Sequence, residues 1–230
     1  MKKTIVVLTG AGVSAESGIK TFRDSDGLWE GHNIIDVATP EGWKKNPALV
    51  LDFYNKRRQE LKIVKPNEAH LFLAELENDF DVHIITQNVD NLHEKAGSSN
   101  VLHLHGELTK VRSIANRNYI LDWFEDLNIG HFDDQDNQLR PHIVWFGEDV
   151  PAIEKAIKIV EKADVLIIIG TSLQVYPAAS LMNFAPQNCP VYYIDPNPAT
   201  VYDLPNSLIV IEAIASKGMK TIKKELIKLL

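Results

Sequence analysis

The chain has 230 residues, 45% hydrophobic and 24% charged, which suits one large soluble domain or a main domain carrying an insertion. Acidic residues outnumber basic ones by 31 to 24, which argues against nucleic-acid binding or membrane docking through a broad basic surface. The single cysteine, Cys189, rules out an internal disulfide and any zinc site built on two or more thiolates of this chain.

In chain order, short β-branched runs predict buried parallel strands at 4–9, 82–86, 101–104, 143–146, 165–169, 191–194 and 208–211. Helical periodicity falls between many of them, at 47–63, 67–78, 152–162 and 217–229. The first run, Thr4 to Thr9, is too short for a membrane span and leads into glycines rather than a cleavage site, so the expected location is cytoplasmic. Strands alternating with helices predict an α/β fold, an open parallel sheet with helices on both faces. Residues 20–66 and 107–139 break that rhythm and predict a smaller inserted lobe, the first with no strand, the second polar and acidic. The acidic stretch lacks the ligand spacing of a Ca²⁺ loop and reads as solvated. The remaining segments, 1–19, 67–106 and 140–230, make up the sheet domain. The sequence sets no oligomeric state.

The first strand ends in Thr9-Gly10-Ala11-Gly12-Val13-Ser14. Glycines at a strand-to-helix turn let backbone N–H groups approach a pyrophosphate, though the spacing departs from G-x-G-x-x-G. Further motifs follow: Phe22-Arg23; Gln87-Asn88-Val89-Asp90; His103-Leu104-His105-Gly106; Arg140-Pro141-His142-Ile143-Val144-Trp145-Phe146-Gly147-Glu148; and Gly170-Thr171-Ser172-Leu173-Gln174-Val175. This ordered set resembles the sirtuins, NAD-dependent protein-lysine deacylases, over residues 4 to about 218.

The resemblance implies a Rossmann-like NAD-binding domain and a reaction that consumes NAD. The acyl group leaves lysine for ADP-ribose, giving nicotinamide, O-acyl-ADP-ribose and free lysine. It assigns Gly10, Ala11, Gly12, Phe22, Arg23, Gln87, Gly170, Thr171, Ser172 and Asp195 to the cofactor. It places Asn88 and Asp90 at the nicotinamide ribose and carboxamide, and His105 as the general base, a role suited to imidazole near neutral pH. His103 is the rival base, and a turn cap before Pro196 is the other reading of Asp195. Val144, Trp145 and Phe146, facing Leu173-Gln174-Val175, resemble the edges that take an acyl-lysine peptide as an added strand.

Tyr54 and Arg57 lie three apart on one helix face. In the family this pair resembles members that remove acidic acyl groups such as succinyl or malonyl, because a guanidinium fork beside a phenol suits a carboxylate. An exposed basic helix surface around Lys56, Arg57 and Arg58 is the competing reading. Most of the family carries a Cys₄ zinc site between the His-Gly and Arg-Pro motifs, and that interval holds no cysteine here. Ser113 and Asn116 stand about where the first pair falls, and His131, Asp133, Asp134 and Asp136 show no ligand spacing. No zinc is expected, and the lobe should be held by Tyr119, Leu121, Trp123, Phe124 and Phe132. ADP-ribosyl transfer, or a non-catalytic module that binds NAD or ADP-ribose, are the alternative functions.

Overall fold

The computed structural model describes residues 2–20, 28–29 and 31–228. Strand β1 (Thr4–Thr9) runs into the one-turn helix α1 (Gly12–Ala15), and a ribbon of β2 (Leu28–Trp29) and β3 (His32–Asn33) leads to helices α2 (Ile34–Val37), α3 (Pro40–Lys45), α4 (Pro47–Ile63) and α5 (Glu68–Leu76). Next come β4 (Asp81–Thr86), α6 (Leu92–Ala96), β5 (Val101–His103), β6 (Gly106–Ser113), β7 (Ile120–Asp122) and β8 (Leu139–Ile143). The remainder holds α7 (Ile153–Val160), β9 (Val165–Ile169), a 3₁₀ segment (Ala178–Phe184), β10 (Val191–Asp195), β11 (Leu208–Glu212) and α8 (Ala215–Ile227).

Six of these strands form one parallel sheet in the order β5-β4-β1-β9-β10-β11. The chain winds outward from β1 through β4 to β5, then returns beside β1 at β9 and winds the other way. A doubly wound sheet opens a crevice beyond the carboxyl ends of the two strands where the winding reverses. Here those ends are Thr9-Gly10 and Ile169-Gly170.

Strand β9 is wholly buried because both of its faces are covered. On one side Ile5, Val7, Val82, Ile84 and Ile167 pack against Phe72 and Leu73 of α5 and Met219 and Ile222 of α8. On the other, Val6, Leu8, Leu166 and Ile168 pack against Ala156 and Val160 of α7 and Leu181. Helix α4 begins where Asn46 accepts the Leu49 N–H at 3.1 Å and Pro47 fills the first turn. Helix α5 is closed by a box in which Asn67 accepts from Ala69 and donates its own backbone N–H to His70 Nδ1. No helix among the described residues is long and apolar enough to cross a membrane.

The smaller lobe is an antiparallel sheet, β7-β6-β8, with α4 beside it. Three expectations change. The run 143–146 is not a strand, because β8 ends at Ile143, where the Val144 N–H turns to the His105 carbonyl and that of Trp145 to the Glu148 carboxylate. The boundaries at 106/107 and 139/140 fall inside β6 and β8, which pair Gly106 with Ile143 and so join the lobe to the site. Residues 20–66 do carry strand pairing, the short β2–β3 ribbon.

The lobe's core also differs from expectation. Leu121, Phe124 and Phe132 are exposed, while Val111, Leu127 and Leu139 are buried with Leu51 of α4 and have Tyr119, Trp123 and Trp43 against them. Aromatic content misleads here because β7 is an edge strand exposed along its length, so Leu121 stays in solvent even though it is paired with buried Val111.

Candidate active site

At the crevice the exits of β1 and β9 meet backbone to backbone. The Gly10 N–H donates to the Ile169 carbonyl at 3.0 Å and the Gly12 N–H to the Gly170 carbonyl at 2.8 Å. A Cβ on Gly12 would lie 2.6 Å from Gly170 Cα, and one on Gly10 2.7 Å from Gly170 O. The glycine of close approach that the first turn lacks by spacing is thus supplied by Gly170 from the opposite strand end. Ala11 sits half-buried at the turn between them. The residues fit a dinucleotide on this observation: with no side chain tolerated at the contact, the two strand exits present bare backbone at the switch point.

Thr171 Oγ1 accepts from Gln87 Nε2 at 3.1 Å, which ties β4 to β9 across the crevice, and the Thr171 carbonyl accepts from the Tyr193 hydroxyl at 2.8 Å. Ser172 follows, half-buried. Asp195 is buried at the end of β10, where Oδ1 accepts the Asn197 N–H at 2.8 Å. It therefore makes the turn contact while placing a carboxylate at a strand's carboxyl end. Phe22 and Arg23 lie outside the described residues.

Asn88 and Asp90 are joined by a residue the sequence reading did not single out. Ser14 Oγ accepts from Asn88 Nδ2 at 3.1 Å and donates to Asp90 Oδ2 at 3.0 Å, while Asp90 Oδ1 accepts the Leu92 N–H at 3.0 Å. His70 Nε2 lies 3.5 Å from the same hydroxyl. Because His70 Nδ1 accepts from Asn67, the ring's proton resides on Nε2 and points at Ser14. Burial lowers the His70 pKa to about 4, so it stays neutral. Burial also raises that of Asp90, against the opposing pull of the Leu92 N–H and Ser14. Ser14 follows Gly10 by four residues on the first helical turn, the one local cue to its position.

The two histidines of the His-Leu-His-Gly motif have opposite surroundings. His103 Nδ1 faces the Asn88 carbonyl at 2.9 Å and Nε2 faces Glu94 Oε1 at 2.8 Å. Both partners only accept, so the ring is satisfied when both nitrogens carry protons. Burial alone would lower its pKa, but the Glu94 carboxylate outweighs burial and raises it. His105 has one such partner, the Gln87 carbonyl 3.1 Å from Nδ1, and burial lowers its pKa. Its Nδ1 carries the proton and Nε2 keeps a lone pair. Glu94, which decides between the two rings, lies on α6 and was not among the residues singled out from sequence.

Helix α4 places Tyr54 fully inside, with its hydroxyl accepting from Trp145 Nε1 at 3.0 Å. The Arg57 guanidinium lies 4.3 Å from the Phe53 ring centroid, with one nitrogen donating to the Phe53 carbonyl at 3.0 Å and another 3.8 Å from Glu60. The exposed-helix reading fails: Arg57's side chain is 11% exposed, and Arg58 is buried with its guanidinium on the Leu108 carbonyl and Asn55. Val144, Trp145 and Phe146 form the turn after β8, where Phe146 is exposed and donates its backbone N–H to the Ala38 carbonyl at 3.0 Å.

In the lobe, the Ser113 hydroxyl accepts the N–H groups of Ala115 and Asn116 at 3.1 and 3.2 Å and donates to Asp133. Asp133 also accepts from the backbone of Gln135 and Asn137. These oxygens are taken by hydrogen bonds and none belongs to a thiolate, so the set does not fit a Cys₄ zinc site. Among the described residues no group of three or more His, Cys, Asp or Glu is placed to hold a metal ion.

A doubly wound sheet, a glycine-lined crevice at its switch point and a neutral histidine at the rim define a dinucleotide-using enzyme. Residues 10–177 match the model of the Sir2 family. An NAD-dependent protein deacylase of Helicobacter pylori is 57% identical over 227 residues, 99% of this chain and of that one. One of Bacteroides thetaiotaomicron is 54% identical over 231 residues, 98% of each chain. A solved Sir2 homologue in complex with NAD is similar in fold, with a TM-score of 0.86 at 39% identity, covering 99% of this chain and 91% of that one. The chain belongs to the Sir2 family.

Proposed function

We propose that this chain removes acidic acyl groups, succinyl or malonyl, from protein lysines and acts on acetyl-lysine as well. The chain is an NAD-dependent protein deacylase, in keeping with its kinship to enzymes of that name. The observation that carries the residue roles is the contrast between the two histidines: His103 has acceptors at both ring nitrogens and a pKa raised by Glu94, and His105 has one, with a bare Nε2.

NAD, when bound, supplies an anomeric carbon whose bond to nicotinamide can be broken by the acyl oxygen. The Gly10–Gly12 turn and Gly170–Ser172 would hold the pyrophosphate and Asp195 the adenosine ribose, and the family resemblance assigns Phe22 and Arg23 to the cofactor as well. Asn88 and Asp90, fixed through Ser14, would orient the ribose and the carboxamide. His105 Nε2 would take the proton of a ribose hydroxyl, so that the oxygen can receive the acyl group. The turn Val144–Phe146 would flank the acyl-lysine peptide, its own N–H groups being held by His105, Glu148 and Ala38. Tyr54 and Arg57 would meet the acyl carboxylate; a buried, neutral phenol is a hydrogen-bond donor, and burial drives the Tyr54 pKa well above the usual phenol range.

The enzyme would work without zinc. Catalysis that vanished on chelation and returned with Zn²⁺ would overturn that part. The acyl preference is tested by kcat/KM on succinyl- and acetyl-lysine forms of one peptide, with nicotinamide release as the readout. Arg57→Met should lower the succinyl value selectively, and equal values before and after would end the reading. Nicotinamide release without an acylated peptide would instead favour transfer of ADP-ribose to another acceptor.

A further inference from the structure

The bond between Trp145 and Tyr54 links the acyl end of the site to its peptide edge. Both side chains are buried, at 2% and 0% exposure, and the indole nitrogen lies 3.0 Å from the phenol oxygen. An indole N–H only donates, so Tyr54 Oη accepts here and its own proton must go elsewhere. Among the described residues no acceptor for that proton lies within hydrogen-bond distance. A buried hydroxyl with one side filled and the other open is costly in a folded protein unless something else completes it.

Trp145 is held so that it cannot turn away. The Arg140 guanidinium carbon lies 3.2 Å from its ring centroid, and Arg140 itself is pinned by Glu148 at 2.8 Å and by the Ile143 carbonyl at 2.8 Å. Glu148 also accepts the Trp145 backbone N–H at 2.9 Å and pairs with buried Arg112 at 2.9 Å. Ring and backbone of Trp145 therefore answer to the same carboxylate, in the turn between Val144 and Phe146.

We propose that Trp145 is a positioning residue for acyl specificity: its indole N–H fills the acceptor side of the Tyr54 hydroxyl and aims the remaining phenolic proton at a carboxylate on the acyl chain. An acetyl group has no acceptor at that depth, so the arrangement favours acidic acyl groups over acetyl. The inference rests on the acidic-acyl reading given above and adds to it the residue that sets the direction of the phenol.

The experiment replaces the N–H while keeping the ring. Trp145→Phe, and separately 3-benzothienylalanine at position 145, which puts sulfur in place of N–H with the indole shape kept, are assayed on succinyl- and acetyl-lysine forms of one peptide. The succinyl-to-acetyl ratio of kcat/KM should fall about threefold to tenfold, the range for losing one oriented hydrogen bond, through KM for the succinyl peptide. In a Tyr54→Phe background the same replacement should leave the ratio where Tyr54→Phe alone puts it. If the benzothienyl variant keeps the wild-type ratio while Arg57→Met and Tyr54→Phe lower it, the role of Trp145 is refuted and the acidic-acyl reading stands. If none of the four changes the ratio, both fall.

Discussion

Gly170 offers the sharpest test of how the crevice is built. It has φ +62°, and a Cβ there would lie 2.4 Å from Val13 N, 2.5 Å from Gly12 C and 2.7 Å from Gly12 Cα. Every obstructing atom is backbone, so no rotamer change relieves the contact. The left-handed backbone costs an alanine about 1–2 kcal/mol, and forcing a methyl into a closed contact about 1–3 kcal/mol more. Gly130 provides the control: its φ is +93° and nothing lies within 4 Å of its Cβ position. Gly130→Ala therefore carries only the backbone cost, a fall in melting temperature of roughly 2–8 °C for a chain of this size. Gly170→Ala should lose more than that, and it should also push the β1 and β9 exits apart, which weakens NAD binding. Thermal melting and calorimetric titration with NAD on both variants separate the two effects. If Gly170→Ala melted like Gly130→Ala and bound NAD as the wild type does, the backbone contact would not be what shapes the crevice.

His105→Asn should slow acyl transfer about 10²–10⁴-fold in single-turnover assays, with the protein still folded, because it removes the only base proposed for the ribose hydroxyl. The pH profile carries the sign. Burial depresses the His105 pKa below the usual imidazole value, so the base is neutral at pH 7, and kcat/KM should fall only as acid protonates it; an acidic limb above that value would point to another group. Glu148→Gln leaves Arg112 and Arg140, both buried, with a neutral partner, and should cost about 3 kcal/mol in urea unfolding; a loss under about 1 kcal/mol would show the cluster to be well hydrated. Burial alone would raise the Glu148 pKa, but Arg140 outweighs it and the net shift is downward. That stabilisation is present above the ordinary carboxylate range and is lost as pH falls from that range through the lowered pKa. Asp133 is depressed further, to about 2, led by its hydrogen bond from Ser113. Asp133→Asn should lower the melting temperature near neutrality and flatten its dependence on acid between the usual carboxylate range and pH 2; an unchanged acid limb would refute that.

The sheet and much of the site were legible because their signals are local. A run such as Val165 to Ile169 can only be stable when covered on both faces, and that alone predicts a parallel strand between helices. The Gly10–Gly12 turn and His105 sit in short motifs. What could not be read was set by residues far apart in sequence. His103 and His105 look alike until Glu94 arrives on α6 and raises the pKa of one of them. Ser14 joins Asn88 to Asp90 across 74 positions, and Trp145 reaches Tyr54 across 91. No spacing rule predicts such pairs, because they depend on how the elements pack. The end of β8 was misplaced for the same reason: the apolar run through Phe146 resembles a strand, while side-chain and backbone partners at Glu148 and His105 turn it away.

The smaller lobe has a core of its own, built on contacts with α4. A structural metal is decisive where a module has almost no core of its own, as in isolated zinc-finger peptides. This lobe is braced by α4. Asn55 Nδ2 donates to the Leu127 carbonyl at 3.0 Å and its Oδ1 accepts the Leu127 N–H at 2.9 Å, a two-point clamp on the segment leading out of β7. Three residues along the helix, buried Arg58 donates to the Leu108 carbonyl of β6 at 2.8 Å. Between these anchors Val111, Leu127 and Leu139 are buried against Leu51, each contributing about 1.5–3 kcal/mol relative to exposure. The helix that carries Tyr54 and Arg57 is thus also the support of the lobe. A substitution at Asn55 or Arg58 would reach Tyr54 and Arg57 by shifting α4, and should lower the succinyl value of kcat/KM even though neither residue is proposed to touch the substrate; unchanged kinetics in Asn55→Ala would refute that.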